Sequence, residues 1–146
     1  MRFDLNNYII DLRNINCDKI LSDWEWLIGP KKKLIYISNT GSFFFIDGFG
    51  HFYWVDSEDA SMERIADNID EFSIEIEDEE DIEEWFKPKL VNELQKRGLH
   101  LLKNQIYAPK ALSYSETEHL IDCFVIKDVE EHFESNGKFL KQIKGW

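Results

Sequence analysis

The sequence predicts an α+β fold: an antiparallel β-sheet (a meander of three strands plus C-terminal strands) packed with helices at the N-terminus, middle and C-terminus. Two observations carry this. Three short runs rich in β-branched and aromatic residues, Leu34–Ser38, Ser42–Asp47 and His51–Val55, are separated by Asn39-Thr40-Gly41 and Asp47-Gly48-Phe49-Gly50, the punctuation of hairpins. On either side of them, apolar residues recur at helical spacing behind residues suited to capping.

The elements follow in order. Ile20, Leu21, Trp24, Leu27 and Ile28 form one apolar stripe on a short helix, capped by Asn16 and stopped by Gly29-Pro30. A basic knot, Lys31–Lys33, precedes the meander. Beyond it the period is mixed: Met62, Ile65, Ile69, Phe72 and Ile76 suit a helix, whereas Phe72, Ile74 and Ile76 suit a strand. Asn68 followed by Glu71 reads as a capping box, which predicts a helix over Ile69–Glu77 and leaves Met62–Ala66 as a short strand or turn. Ile82, Trp85, Phe86, Leu90 and Leu94 form a second stripe, with acids at its start and Lys96-Arg97-Gly98 at its end, the charge order a helix dipole favours. Pro88 cannot sit inside a straight helix, so a break is expected there, with Pro88 in the first turn of the next helix. Gln105–Ala108 and Leu120–Lys127 read as further strands. Asp128 with Glu131 caps a last helix with apolar positions at Val129, Phe133, Leu140 and Ile143. Trp24, Phe44, Trp54, Phe72 and Trp85 fall on the inward side of these patterns and should be buried.

A chain of 146 residues, 43% hydrophobic with 11 Phe, 5 Tyr and 5 Trp, fits one globular domain, residues 1–146, large enough to fold without staples. Two cysteines, Cys17 and Cys123, are too few for a disulfide scaffold. The N-terminus has no apolar core of a signal peptide, and Phe43–Ile46 is far too short for a membrane span. A cytoplasmic protein with no membrane partner is expected. Charge is the most informative quantity. The 29 acids outnumber the 17 Lys and Arg, giving −12, yet eleven acids and no base fall in Asp67–Glu84, so the remainder stands at −1. Such a concentrated anionic segment repels a phosphate backbone and disfavours direct nucleic-acid binding, so no nucleic-acid partner is expected, while it would attract a basic protein surface.

Catalytic and metal chemistry find little support. His119 and Cys123 would share one strand face, a two-ligand set without a third, so no metal or cofactor is expected. The acidic run lacks the turn glycine and alternating spacing of a calcium loop. Gly48-Phe49-Gly50 lies between strands, where a tight turn suits it better than a phosphate loop. Ser113 and Ser115 have no nucleophile-elbow context, and dense carboxylates indicate a solvated surface rather than one tuned acid and one base. No catalytic residues are assigned, and the protein is expected not to be an enzyme.

The order and spacing of several motifs add a family resemblance. They are Gly41-Ser42-Phe43-Phe44, Asp47-Gly48-Phe49-Gly50-His51-Phe52-Tyr53-Trp54, Ile65-Ala66, Glu71-Phe72, Glu84-Trp85-Phe86 and Gln105-Ile106-Tyr107 with Pro109, closing with Asp128-Val129 and Gly137-Lys138-Phe139-Leu140-Lys141-Gln142-Ile143. From Trp24 to Ile143 the chain resembles the C-terminal domain of immunity proteins that protect bacteria against type VI secretion DNase toxins, and more distantly the SUKH immunity superfamily. Two departures stand out: only a short segment precedes Trp24 where the family has an N-terminal domain, and Leu112-Ser113-Tyr114 replaces its Leu-Gly-Gly in the Pro109–His119 loop.

The resemblance implies an immunity protein that binds and neutralises a cognate secreted toxin, a nuclease with a basic surface. An orphan adaptor or ligand-binding domain of the same fold is the alternative. Joined to the charge pattern, it nominates Glu75, Glu77, Asp78, Glu79, Glu80, Asp81, Glu83 and Glu84 as partner-binding residues. The outer face of the Phe43–Trp54 strands is the second candidate surface.

Overall fold

The computed structural model describes residues 3–110 and 121–146. The hairpin punctuation produces an antiparallel sheet in which β1 (Lys33–Ile37), β2 (Phe43–Ile46), β3 (Phe52–Asp56) and β4 (Ser61–Ala66) lie in sequence order. The register pairs Phe43 with Val55, Phe44 with Trp54 and Phe45 with Tyr53. The meander therefore has four strands, not three. The expected short strand or turn at Met62–Ala66 is a full edge strand, with a register shift at Phe52/Tyr53 where it pairs with β3.

Helices cover both faces of this sheet. On one side, α1 (Cys17–Asp23), α2 (Glu25–Ile28) and α6 (Val129–Ile143) bring Ile20, Trp24, Phe133 and Leu140 against Leu34, Ile37, Phe43, Phe45 and Val55. On the other, α3 (Ile69–Glu75) and α4 (Glu79–Phe86) bring Phe72, Ile82, Trp85 and Phe86 against Phe44, Phe52 and Trp54. Alternate residues of β2 thus enter opposite cores, and Phe43, Phe44 and Phe45 are all buried. The outer face of the Phe43–Trp54 strands, the second candidate surface, is covered by α3 and α4. Trp24, Phe44, Trp54, Phe72 and Trp85 are all buried, as their periodic positions require.

The remaining strands, β5 (Gln105–Pro109) and β6 (Phe124–Asp128), form a separate antiparallel pair. On it packs α5 (Pro88–Lys96), with Val91 and Leu94 against Tyr107 and Phe124. The segment expected as a strand over Leu120–Lys127 begins instead with a 3-10 turn, Ile121–Cys123, and His119, Ser113, Ser115 and most of the Pro109–His119 loop lie outside the described residues.

The caps behave as their chemistry predicts. Asn16 accepts from Lys19 N, Asp78 from Glu80 N and Asp81 N, and Asp128 from Glu131 N. At α3, Asn68 accepts from Glu71 N, but the Glu71 carboxylate accepts from Asp67 N, one residue before the reciprocal box position. That helix ends at Glu75, two residues short of the expectation. Lys87, in a left-handed conformation at φ 48°, breaks the second stripe, and Pro88 opens α5.

Two elements depart from the periodic reading. The first stripe is divided at Trp24, which serves as C-cap of α1 and N-cap of α2. In α6, Ile143 is 45% exposed rather than core. The crossing of α1 and α6 is close: a Cβ on Gly137 would stand 3.0 Å from the Asp23 carbonyl oxygen, so only glycine fits there without movement. Trp24 Nε1 donates to the Phe133 carbonyl at 2.9 Å across the same contact.

Candidate functional site

The acidic run occupies the end of α3, the following turn and α4. Helix polarity makes this density tolerable, since Glu79, Glu80 and Asp81 stand in the first turn of α4, where the partial positive charge of free N–H groups favours them. Glu77, Asp78, Glu79, Glu80 and Glu84 are exposed, whereas Glu75, Asp81 and Glu83 are half-buried. None of these eight carboxylates belongs to an ion pair among the described residues, although Asp11, Asp23, Asp67, Glu93, Asp122 and Glu134 elsewhere all do. Partial burial, a shared hydrogen bond with Glu75 and repulsion from Asp78 and Glu75 push the Asp81 carboxyl up to about 6. Negative charge is held here against its own repulsion.

Part of the run forms one wall of an open groove of about 770 Å³. Glu77, Glu79, Glu80 and Glu83 line it, with Ile82 and Pro88 below; Phe3, Asp4, Asn7 and Tyr8 form the opposite wall, and Lys89 and Asn92 of α5 complete it. The fold thus brings four of the eight nominated residues into one concavity. Glu75, Asp78, Asp81 and Glu84 do not line it. The opposite wall was missed from sequence, since residues 3–8 carry no helical or strand period. Hydrogen bonds place it: Asp4 caps the turn Leu5–Asn7, Tyr8 Oη donates to Asn92 Oδ1 at 2.9 Å, and Asn39 Nδ2 donates to the Asn7 carbonyl at 3.0 Å. The Phe3 ring stacks on Tyr8 with centroids 5.1 Å apart.

Groups with catalytic names are engaged elsewhere. Ser57 Oγ and His132 Nε2 lie 3.0 Å apart, a pair that spacing gave no means of finding. Both are buried, and desolvation depresses the His132 imidazole to about 4. Its Nδ1 has no hydrogen-bond partner among the described residues, so the pair has no third group there of the kind that orients a catalytic base. The pair is a packing joint beneath the β1–β2 turn. His51 belongs to the Gly48-Phe49-Gly50 turn, where the Asp47 carboxylate accepts from Phe49 N, His51 N and Tyr53 Oη and meets His51 Nδ1 at 3.1 Å. Burial opposes the Asp47 charge, yet these hydrogen bonds prevail and hold its carboxyl down at about 2. This is a fixed turn between strands, as its sequence indicates. Cys17 and Cys123 are free and half-buried, and no cluster of three or more metal-ligating side chains occurs among the described residues. No helix among them is long and apolar enough to cross a membrane.

The family model described as T6SS immunity protein Tdi1, C-terminal, matches residues 66–143, from the last residue of β4 to the end of α6. Neither the curated proteins nor the solved structures returned a match. The matched stretch includes the whole acidic run and both helices of the groove, and leaves residues 3–8 and the first three strands outside it. It covers more than half of the sequence, and the chain belongs to the family of type VI secretion immunity proteins typified by the C-terminal domain of Tdi1.

Proposed function

We propose that this protein, acting as a single domain in the cytoplasm, neutralises a cognate secreted toxin by stoichiometric binding, and that the toxin is a nuclease. On this reading it needs no cofactor and catalyses no reaction. One observation supports the proposal beyond membership of an immunity family, whose proteins imply a toxin partner: of the eight carboxylates between Glu75 and Glu84, none with an ion-pair partner among the described residues, four (Glu77, Glu79, Glu80 and Glu83) line one groove. A nuclease must present cationic groups to phosphates, and a surface of unpaired carboxylates complements those groups. Protection of DNA in the cell needs high occupancy, hence nanomolar affinity, on the order of −12 kcal/mol.

Glu75, Glu77, Asp78, Glu79, Glu80, Asp81, Glu83 and Glu84 therefore border the toxin interface. Exposed charges of this kind govern association rate and salt dependence more than final affinity. The test replaces Glu77, Glu79 and Glu80 by Gln and Asp78 and Asp81 by Asn; asparagine still caps α4. Stopped-flow mixing with the cognate toxin at low salt should give slower association and a flatter salt dependence than the parent protein. Association at the parent rate would place the interface elsewhere.

A further inference from the structure

We infer that the groove between residues 3–8 and the helices α4 and α5 receives a protruding, arginine-bearing segment of the protein partner, and that Phe3 and Tyr8 select it. This rests on the toxin-binding reading and adds the chemistry of what is bound. A concave site of about 770 Å³ admits a projecting segment, whereas a flat surface would touch only its rims. Its electrostatics fix the sign of the occupant. Among the described residues, Asp4, Glu77, Glu79, Glu80 and Glu83 line it, against one cation, Lys89.

The aromatic wall favours arginine over lysine. Phe3 and Tyr8 stack nearly parallel, 14° between ring planes, and Phe3 also meets Phe86 at 5.7 Å. A guanidinium can lie flat on such a ring while its N–H groups reach a carboxylate, whereas an ammonium is a compact, strongly hydrated charge. The wall is also fixed before binding. Tyr8 Oη is tied to Asn92 and the Tyr8 carbonyl accepts from Asn39 N at 2.9 Å, so little ordering cost remains for the complex. The two walls come from different parts of the chain: α4 and α5 fall within the family match, and residues 3–8 do not. The acidic wall then provides attraction suited to any basic toxin, and the N-terminal wall provides discrimination among them.

The experiment needs no toxin. The full-length protein is titrated with a Gly/Ser octapeptide bearing three arginines, with its three-lysine counterpart, and with spermine, by calorimetry and by amide shifts in nitrogen–proton spectra. The arginine peptide should bind roughly three- to fivefold tighter than the lysine peptide, with shifts centred on Asp4, Tyr8 and Asn92. Phe3→Leu, which keeps apolar bulk and removes the ring face, should abolish that preference. A pair of variants on one helix guards against a folding defect: Glu83→Gln, within the groove, should weaken the arginine peptide, and Glu84→Gln, exposed outside it, should not. Equal affinity for the two peptides, equal effects of the two glutamines, or spermine matching the arginine peptide would each overturn the proposal. If the groove fails while the five-site variant still slows the toxin, the toxin reading stands without it.

Discussion

Gly41→Ala should destabilise the protein by about 2–5 kcal/mol, through two separable causes. Gly41 sits at φ +90°, where an L side chain is strained by about 1–2 kcal/mol. A Cβ there would also stand 3.1 Å from Ile106 Cδ1, 3.2 Å from Ser57 Oγ and 3.3 Å from His132 Nε2. Ser57 is fully buried and hydrogen-bonded to His132, so these neighbours have little room to yield, and overpacking adds about 1–3 kcal/mol. Two other glycines separate the causes. Gly50, at φ +81° with nothing within 4 Å of a built Cβ, should report the backbone part alone, about 1–2 kcal/mol on conversion to alanine. Gly48, with neither strain nor neighbours, should change stability by no more than about 0.5 kcal/mol. Thermal unfolding followed by tryptophan fluorescence resolves the order, since each kcal/mol moves the midpoint by about 2–4 °C in a domain of this size. If Gly41→Ala and Gly50→Ala melt within about 2 °C of each other, the close approach of the β1–β2 turn to Ser57 and His132 is refuted.

Trp85→Ala, removing a ring packed edge-on against Phe44 at 5.6 Å, should cost about 3–5 kcal/mol by urea denaturation, and an unchanged midpoint would refute the placement of α4 on the sheet. The pH dependence has a definite sign: burial, then repulsion from Asp56 and Asp59 set against attraction from Lys87, raises Glu58 from 4.5 to about 7, so the native state binds its proton more tightly than the unfolded chain does. This group's contribution to stability therefore falls as pH rises from 4.5 to 7, and Glu58→Gln should flatten that fall in urea midpoints measured between pH 5 and 8. An identical slope in the variant would show that Glu58 titrates normally.

The parts of the fold legible in the sequence are those where local chemistry and packing agree. Glycine turns at Asn39-Thr40-Gly41 and Asp47-Gly48-Phe49-Gly50 define the hairpins, and cap residues mark the helix starts. The fourth strand was ambiguous because an edge strand needs no apolar alternation: Ser61, Met62, Glu63 and Arg64 are all exposed, and only Ile65 and Ala66 turn inward. The continuous run Phe43–Ile46 did carry a signal of burial on both faces, but the alternation of strand side chains suggested one open face instead. That left the outer face as a second candidate surface, which α3 and α4 in fact occupy.

The candidate site divides along the same line. The density of acids is a property of consecutive residues, so composition alone exposes it. Their grouping is not: Glu77, Glu79, Glu80 and Glu83 enter one groove because α4 is capped at Asp78 and turns away at Lys87, and Glu84, a neighbour in sequence, is left outside. The facing wall depends still less on local sequence, since Tyr8 is held by Asn39 and Asn92, distant in the chain, and Phe3 stacks on Tyr8. A charge run seen only as sequence is indistinguishable from a solvated helix face. What distinguishes this one physically is the aromatic wall opposite carboxylates that have no ion-pair partner among the described residues, where a cationic side chain would lose water on one side to a ring and gain a carboxylate on the other. On the proposed reading, attraction and discrimination arise from different segments, so a change in residues 3–8 should alter which partner fits while leaving the acidic helix intact.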